Sequence, residues 1–262
     1  MAATRPPAVA GLFYPDDPDE LRAMIGGYLA KAPDDGRAPK ALIAPHAGYI
    51  YSGPVAASAY ARLRDVRDMI QRVVLLGPSH RVAFAGLAAP SVDAFETPLG
   101  SIPIDQAAIQ DIIDLPQVTL FDQAHTREHS LEVHLPFLQV VLESFRLVPL
   151  VVGDASEDEV GEVLDRLWGG PETLIVISSD LSHYHDYDTA RMLDRSTSQA
   201  IEALDPAAIH YEQACGRNPV NGLLTAAKRR HLHASTVDLR NSGDTMGPRD
   251  RVVGYGAYVF EP

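Results

Sequence analysis

Four short, almost unbroken apolar runs, at residues 40–44, 72–76, 146–152 and 173–178, constrain this chain more than any other feature. A strand with apolar side chains on both faces must be covered on both, which calls for a largely parallel sheet with helices above and below it. Amphipathic stretches at 54–64, 105–113, 128–144, 158–168, 187–204 and 220–231 supply those helices. Ser156 and Glu159 have the spacing of a capping box, and Asp205 before Pro206 reads as a cap with proline at the first helical position. Near the C-terminus, 235–239 and 252–260 read as strands separated by the turn-rich 241–248, which adds antiparallel pairing. The expected fold is α/β: a three-layer sandwich around a central mixed, mainly parallel sheet, with residues 1–262 as a single domain. Residues 34–39 read as a polar loop, and no repeat or linker divides the 262 residues, of which 46% are apolar and 22% charged.

The 22 basic and 35 acidic side chains give a formal charge of −13, which repels phosphate backbones and anionic lipid heads. Neither nucleic acid nor a membrane is an expected partner. Residues 1–7 lack the apolar centre of a signal peptide, and no stretch approaches the ~20 apolar residues of a membrane helix, so the cytoplasm is the expected compartment. Cys215 is the only cysteine, which excludes an intramolecular disulfide and a Cys-only zinc site. It reads either as a buried structural thiol or as a group acting through its own chemistry.

Three of the four runs lead into reactive polar groups: the first into His46, the second into Ser79 and His80, the fourth into Asp180 and His183. Ligands of open α/β sheets bind beyond the carboxyl ends of the strands, so these residues are expected to share one crevice. Each histidine alone has a plainer explanation, as a half-buried loop residue bonded to a carbonyl. Three coinciding strand ends favour the pocket. Gly48, Gly53 and Gly77, with Pro45, Pro54 and Pro78, read as tight turns holding these side chains rigidly. Glu128, His129, Glu132 and His134 fall at the start of the helix expected at 128–144, where the two glutamates share a face and complement the helix N-terminus, and where His134 reads as packing. Zincin spacing, a nucleophile elbow and a phosphate-binding glycine loop are all absent. Cys215 lies in a turn just ahead of the helix expected at 220–231, close to Arg217, an arrangement expected to lower a thiol pKa and yield a nucleophile or a metal ligand.

Residues 5–15 (RPPAVAGLFYP), 44–53 (APHAGYIYSG), 76–80 (LGPSH), 128–136 (EHSLEVHLP), 178–184 (SSDLSHY) and 215–220 (CGRNPV) resemble the Memo family, whose prokaryotic members are also called the B component of the AmmeMemoRadiSam system. The resemblance implies a fold similar to the class III extradiol dioxygenases, non-haem iron enzymes that open catechol rings. Carried over by motif, it implies that His46, His80 and Cys215 bind a metal, that His183 is the acid/base, and that Asp180 and His129 line the same catalytic pocket. Tyr49, Tyr51, Ser79, Glu128 and Arg217 are the side chains expected to hold a small-molecule or peptide ligand. A cysteine stands where the dioxygenases carry the carboxylate of their two-His-one-carboxylate set. A thiolate favours softer ions, so iron is the first expectation, copper or zinc are chemically reasonable, and the site is empty wherever the thiol has oxidised. Three functions follow. The first is a metal-dependent oxidoreductase of unknown substrate, the second a non-catalytic metal- or peptide-binding partner of a radical SAM protein, and the third a cysteine- or metal-dependent hydrolase with His183 as base.

Overall fold

The computed structural model describes residues 3–33 and 38–262, so positions 34–37 of the expected polar loop lie outside the described residues. In chain order these form β1 (Thr4–Arg5), α1 (Pro18–Leu29), β2 (Ala41–Ala44), α2 (Tyr49–Tyr60), β3 (Arg72–Pro78), β4 (Leu87–Ala89), β5 (Ala94–Thr97), β6 (Gly100–Pro103), α3 (Gln106–Gln110), β7 (Val118–Leu120), α4 (Asp122–Thr126) and α5 (Leu135–Val141). They continue as β8 (Arg146–Val152), α6 (Glu157–Leu167), β9 (Thr173–Ser178), β10 (His183–His185), α7 (Tyr187–Glu202), α8 (Arg217–Arg229), β11 (His233–Asn241) and β12 (Val252–Glu261).

The four apolar runs become β2, β9, β3 and β8, which lie side by side in that order and are parallel throughout. Antiparallel pairs flank this centre, with β12 joining β2, β10 and β11 on one side and β4 joining β8 on the other. The sheet is therefore mixed with a parallel centre. A small second sheet links β1, β5 and β6. Every residue of β2 and β9 is buried, because helices cover both faces. On one face α1, α2 and α5 pack together, with α2 over β2, β11 and β12; on the other α6 packs on α8, and α8 on β3 and β9. One continuous apolar core runs between the layers. No helix among the described residues is long and apolar enough to cross a membrane.

Several expected elements change. Helix α2 starts at Tyr49 rather than 54, so Gly53 and Pro54 sit inside a helix instead of a turn. Gly53 meets Tyr28 of α1 so closely that a Cβ would lie 2.6 Å from its ring. The helix expected at 128–144 is the largest correction: 128–131 are not helical, Glu132–His134 form a 3-10 turn, and α5 covers Leu135–Val141 with Pro136 in its first turn. Pro136 lacks the N–H that a helix running through from 128 would need at that point, and it sits in the first turn of α5 instead. Pro206 likewise heads only a 3-10 turn, Pro206–Ala208, where Asp205 makes no side-chain cap. The capping box of Ser156 and Glu159 is present at the start of α6.

Candidate metal centre

Adjacent strands lie about 5 Å apart, so the carboxyl ends of β2, β9 and β3 open onto one crevice. Ala44 pairs with Ser178, and Ile177 with Leu76, so the three ends are level. His46, Asp180 and His80 follow directly. Gly77 is required beneath them, since a Cβ there would come within 2.9 Å of both Ser130 Oγ and Leu131. Cys215 enters from the turn ahead of α8. There the Gly216 amide donates to Ser179 Oγ at 3.1 Å, and a Cβ on Gly216 would stand 2.5 Å from the Ser178 carbonyl. Donor atoms of His46, His80 and Cys215 all lie within 4.8 Å of one another. Cys215 Sγ is 3.3 Å from His46 Nε2, and the two imidazoles meet edge to face at 5.1 Å.

Hydrogen bonding fixes which nitrogens face the crevice. The Ser130 carbonyl can only accept, so the Ser178 hydroxyl, 2.6 Å away, donates to it. Ser178 Oγ, 2.7 Å from His46 Nδ1, must then accept, which puts the ring proton on Nδ1 and a lone pair on Nε2. His80 Nδ1 lies 2.9 Å from Glu128 Oε1, and the His80 amide donates to Oε2 at 2.6 Å. Burial alone would raise the Glu128 carboxyl, but the hydrogen bond and charge of His80, with the amides of His80 and Ser130, hold it down at about 2. An ionised carboxylate only accepts, so His80 Nδ1 donates to it, and the ring is anchored with Nε2 turned away from Glu128. Burial first, then the neighbouring histidines, push the pKa of His46 well below its usual value and keep it neutral. Imidazoles anchored through Nδ1 leave Nε2 for a metal, and these residues fit a metal ion.

Cys215 corrects one expectation. Burial first, then the Asp180 carboxylate, raise the thiol pKa rather than lowering it. Helix α8 begins at Arg217, whose guanidinium turns to the Tyr211 ring at 5.8 Å. The group is a thiol until a cation displaces its proton.

Asp180 is buried, its pKa raised by burial against the opposing pull of His183 and the His46 amide. It accepts the His46 N–H at 2.8 Å, and Oδ2 lies 3.8 Å from His46 Nε2. His183 Nδ1 donates to the Leu181 carbonyl at 2.8 Å, which anchors the ring. His129 stacks on His80 at 4.6 Å, and burial foremost lowers its pKa to about 4. Ser79 donates to the Val82 carbonyl and, with Cys215 and Arg217, borders a cavity of about 260 Å³. Tyr51 is exposed early in α2. Two expected ligand-binding residues are placed otherwise. Tyr49 is buried with its hydroxyl given to the Val133 carbonyl at 2.6 Å, and the Glu128 carboxylate is filled by the amides of His80, His129 and Ser130 and by the His80 ring.

Sequence reasoning does not single out Ser178 and Ser130, although the paired serines after an apolar run were a usable signal. Nor does it find the part played by Arg5, which donates to Glu132 and to the Glu128 carbonyl at 2.6 Å each. Glu132 also accepts the amides of Ala8 and Val9 and the Tyr14 hydroxyl, so it fastens the N-terminal segment rather than complementing a helix. Phe13 of that segment packs against His129 as a tilted ring pair, centroids 4.9 Å apart.

A family model described as "Memo-like protein" matches residues 5–259. A MEMO1 family protein of Aquifex aeolicus is 37% identical, over 98% of each chain. Another, of Methanopyrus kandleri, is 39% identical, again over 98% of each. A solved structure of an uncharacterised Escherichia coli K12 protein superposes with a TM-score of 0.52 at 15% identity, covering 85% of this chain and 100% of that one, which bears on the fold alone. The full-length match takes in every segment that builds the crevice, and the chain belongs to the Memo-like protein family.

Proposed function

We propose that this chain is a cytoplasmic metal-dependent oxidoreductase of dioxygenase type, with iron held by His46, His80 and Cys215 and a small electron-rich molecule as substrate. The supporting observation is that His46 and His80 are each anchored through Nδ1, and that donor atoms of these two rings and of Cys215 lie within 4.8 Å of one another. A bound iron ion would supply redox chemistry with oxygen and a coordination position for substrate. Ser178 and Glu128 orient the rings, and Asp180 holds the His46 amide. His183, anchored through Nδ1, takes or gives a proton at Nε2. The test is elemental analysis of protein purified without oxygen or a histidine tag, native and with His46→Ala, His80→Ala or Cys215→Ser, followed by oxygen uptake with catechols and phenols. Near-stoichiometric iron, absent from all three variants, with substrate-dependent uptake supports the proposal. No metal after reconstitution, or no uptake while a control enzyme consumes oxygen, removes it.

A second reading, a non-catalytic partner of a radical SAM protein, is favoured by exposed Leu12, Ile50, Tyr51, Tyr184 and Tyr211 on the segments flanking the crevice. Turnover of a small molecule, together with a pull-down that recovers no specific partner, disposes of it. For the hydrolase reading, the raised thiol pKa weighs against Cys215 as the nucleophile and leaves the version in which a metal-bound water attacks with His183 as base.

A further inference from the structure

At the opposite end of the sheet, where β2 and β9 begin, a cavity of about 570 Å³ opens among Lys40, Ile70, Trp168, Thr173, Arg230 and Leu232. That volume lies within the roughly 300–1,000 Å³ usual for small-molecule sites. Its floor is apolar, with Ile70 and Leu232 buried, and its head is cationic. Lys40 Nζ is fixed by the carbonyls of Gly170 and Thr173 at 2.7 Å each and stands 5.6 Å from the Trp168 ring centroid. The Arg230 guanidinium lies 4.1 Å from the same centroid and is paired with Asp165 at 2.5 Å.

Lys40 has no carboxylate within ion-pair distance among the described residues. Glu172 turns its carboxylate onto the Gly170 amide and the Thr173 hydroxyl, 2.9 Å from each. Burial foremost lowers the Lys40 pKa to about 8, with Glu172 raising it and Arg230 lowering it. A half-desolvated ammonium held by two carbonyls, with no carboxylate in ion-pair contact among the described residues, gains most from an anion that brings its own apolar covering.

We propose that this cavity binds a small amphipathic carboxylate, its head on Lys40 and its apolar body along Trp168, Ile70 and Leu232. Trp168 is the only tryptophan in the chain, so its emission reports on this cavity. The probe is octanoate, compared with octan-1-ol and octylamine, read by Trp168 fluorescence and titration calorimetry on the full chain. Octanoate is expected to give a saturable response, with the alcohol and the amine weaker by about tenfold or more. Lys40→Met is expected to reduce octanoate to the level of the alcohol, and Lys40→Arg to keep most of the affinity, both with native metal content and melting temperature. Equal binding of octanoate and octanol, full affinity in Lys40→Met, or no octanoate binding into the millimolar range overturns the proposal. Should Lys40→Met not fold, proton NMR contacts between octanoate and the Trp168 indole in the native protein decide, and their absence overturns it equally.

Discussion

The Ser178 hydroxyl decides which nitrogen of His46 faces the crevice, and Glu128 does the same for His80. Ser178→Ala removes the acceptor and frees the His46 ring to adopt either tautomer. Metal affinity, measured by competition with a chelator, is expected to fall about 10- to 100-fold, the usual cost of losing such an anchoring partner. Nitrogen NMR of the metal-free protein is expected to show His46 losing its single tautomer, which a merely structural defect would not produce. Cys215 leads to a pH prediction. Its raised pKa leaves it protonated at working pH, and binding an ion must release that proton. Affinity for a divalent ion is therefore expected to rise about tenfold per pH unit, with one proton released per ion in weakly buffered solution. The strand-end rule makes His46 and His80 legible, and the resemblance adds Cys215. The thiol's environment is not legible, because Asp180 and the surrounding burial come from segments far away in sequence.

At the scale of elements, the central strands read correctly because a strand buried on both faces leaves an unbroken apolar run. Residues 128–144 mislead because the periodicity looks helical, while the partners that hold the segment open come from elsewhere. Arg5 reaches Glu132 across 127 positions of sequence, and no local pattern records that. Gly77 tests how tightly the layers close over the centre. Gly77→Ala is expected to cost about 1–3 kcal/mol through overpacking against Ser130 and Leu131, and to weaken metal binding by displacing Ser130 and Ser178. Ser156→Ala is the control at a distance. Losing that cap is expected to cost about 1 kcal/mol in thermal unfolding while metal content stays native.

For the molecule as a whole, buried neutral histidines set the acid limit. Burial foremost lowers His125 to about 4, and burial lowers His134 to about 3, against about 6.5 in an unfolded chain. A depressed base contributes stability above its unfolded pKa and loses it as pH falls from about 6.5 toward the folded value, which for His125 amounts to roughly 3 kcal/mol. Asp194 works the other way. Burial foremost raises it to about 6, so its contribution is present at low pH and is lost as pH rises from its usual 3.8 through 6. Melting temperature is expected to drop on acidification below about pH 6.5, and Asp194→Asn to steepen the drop. The locked imidazoles carry a different consequence. If they hold a metal ion as proposed, two borderline nitrogens and one soft sulfur form a donor set open to several late first-row ions, so the ion bound would depend on supply as well as on the site. Copies made under different nutrient regimes would then carry different ions on one unaltered scaffold, and the protein's working state would follow the metal diet of its surroundings.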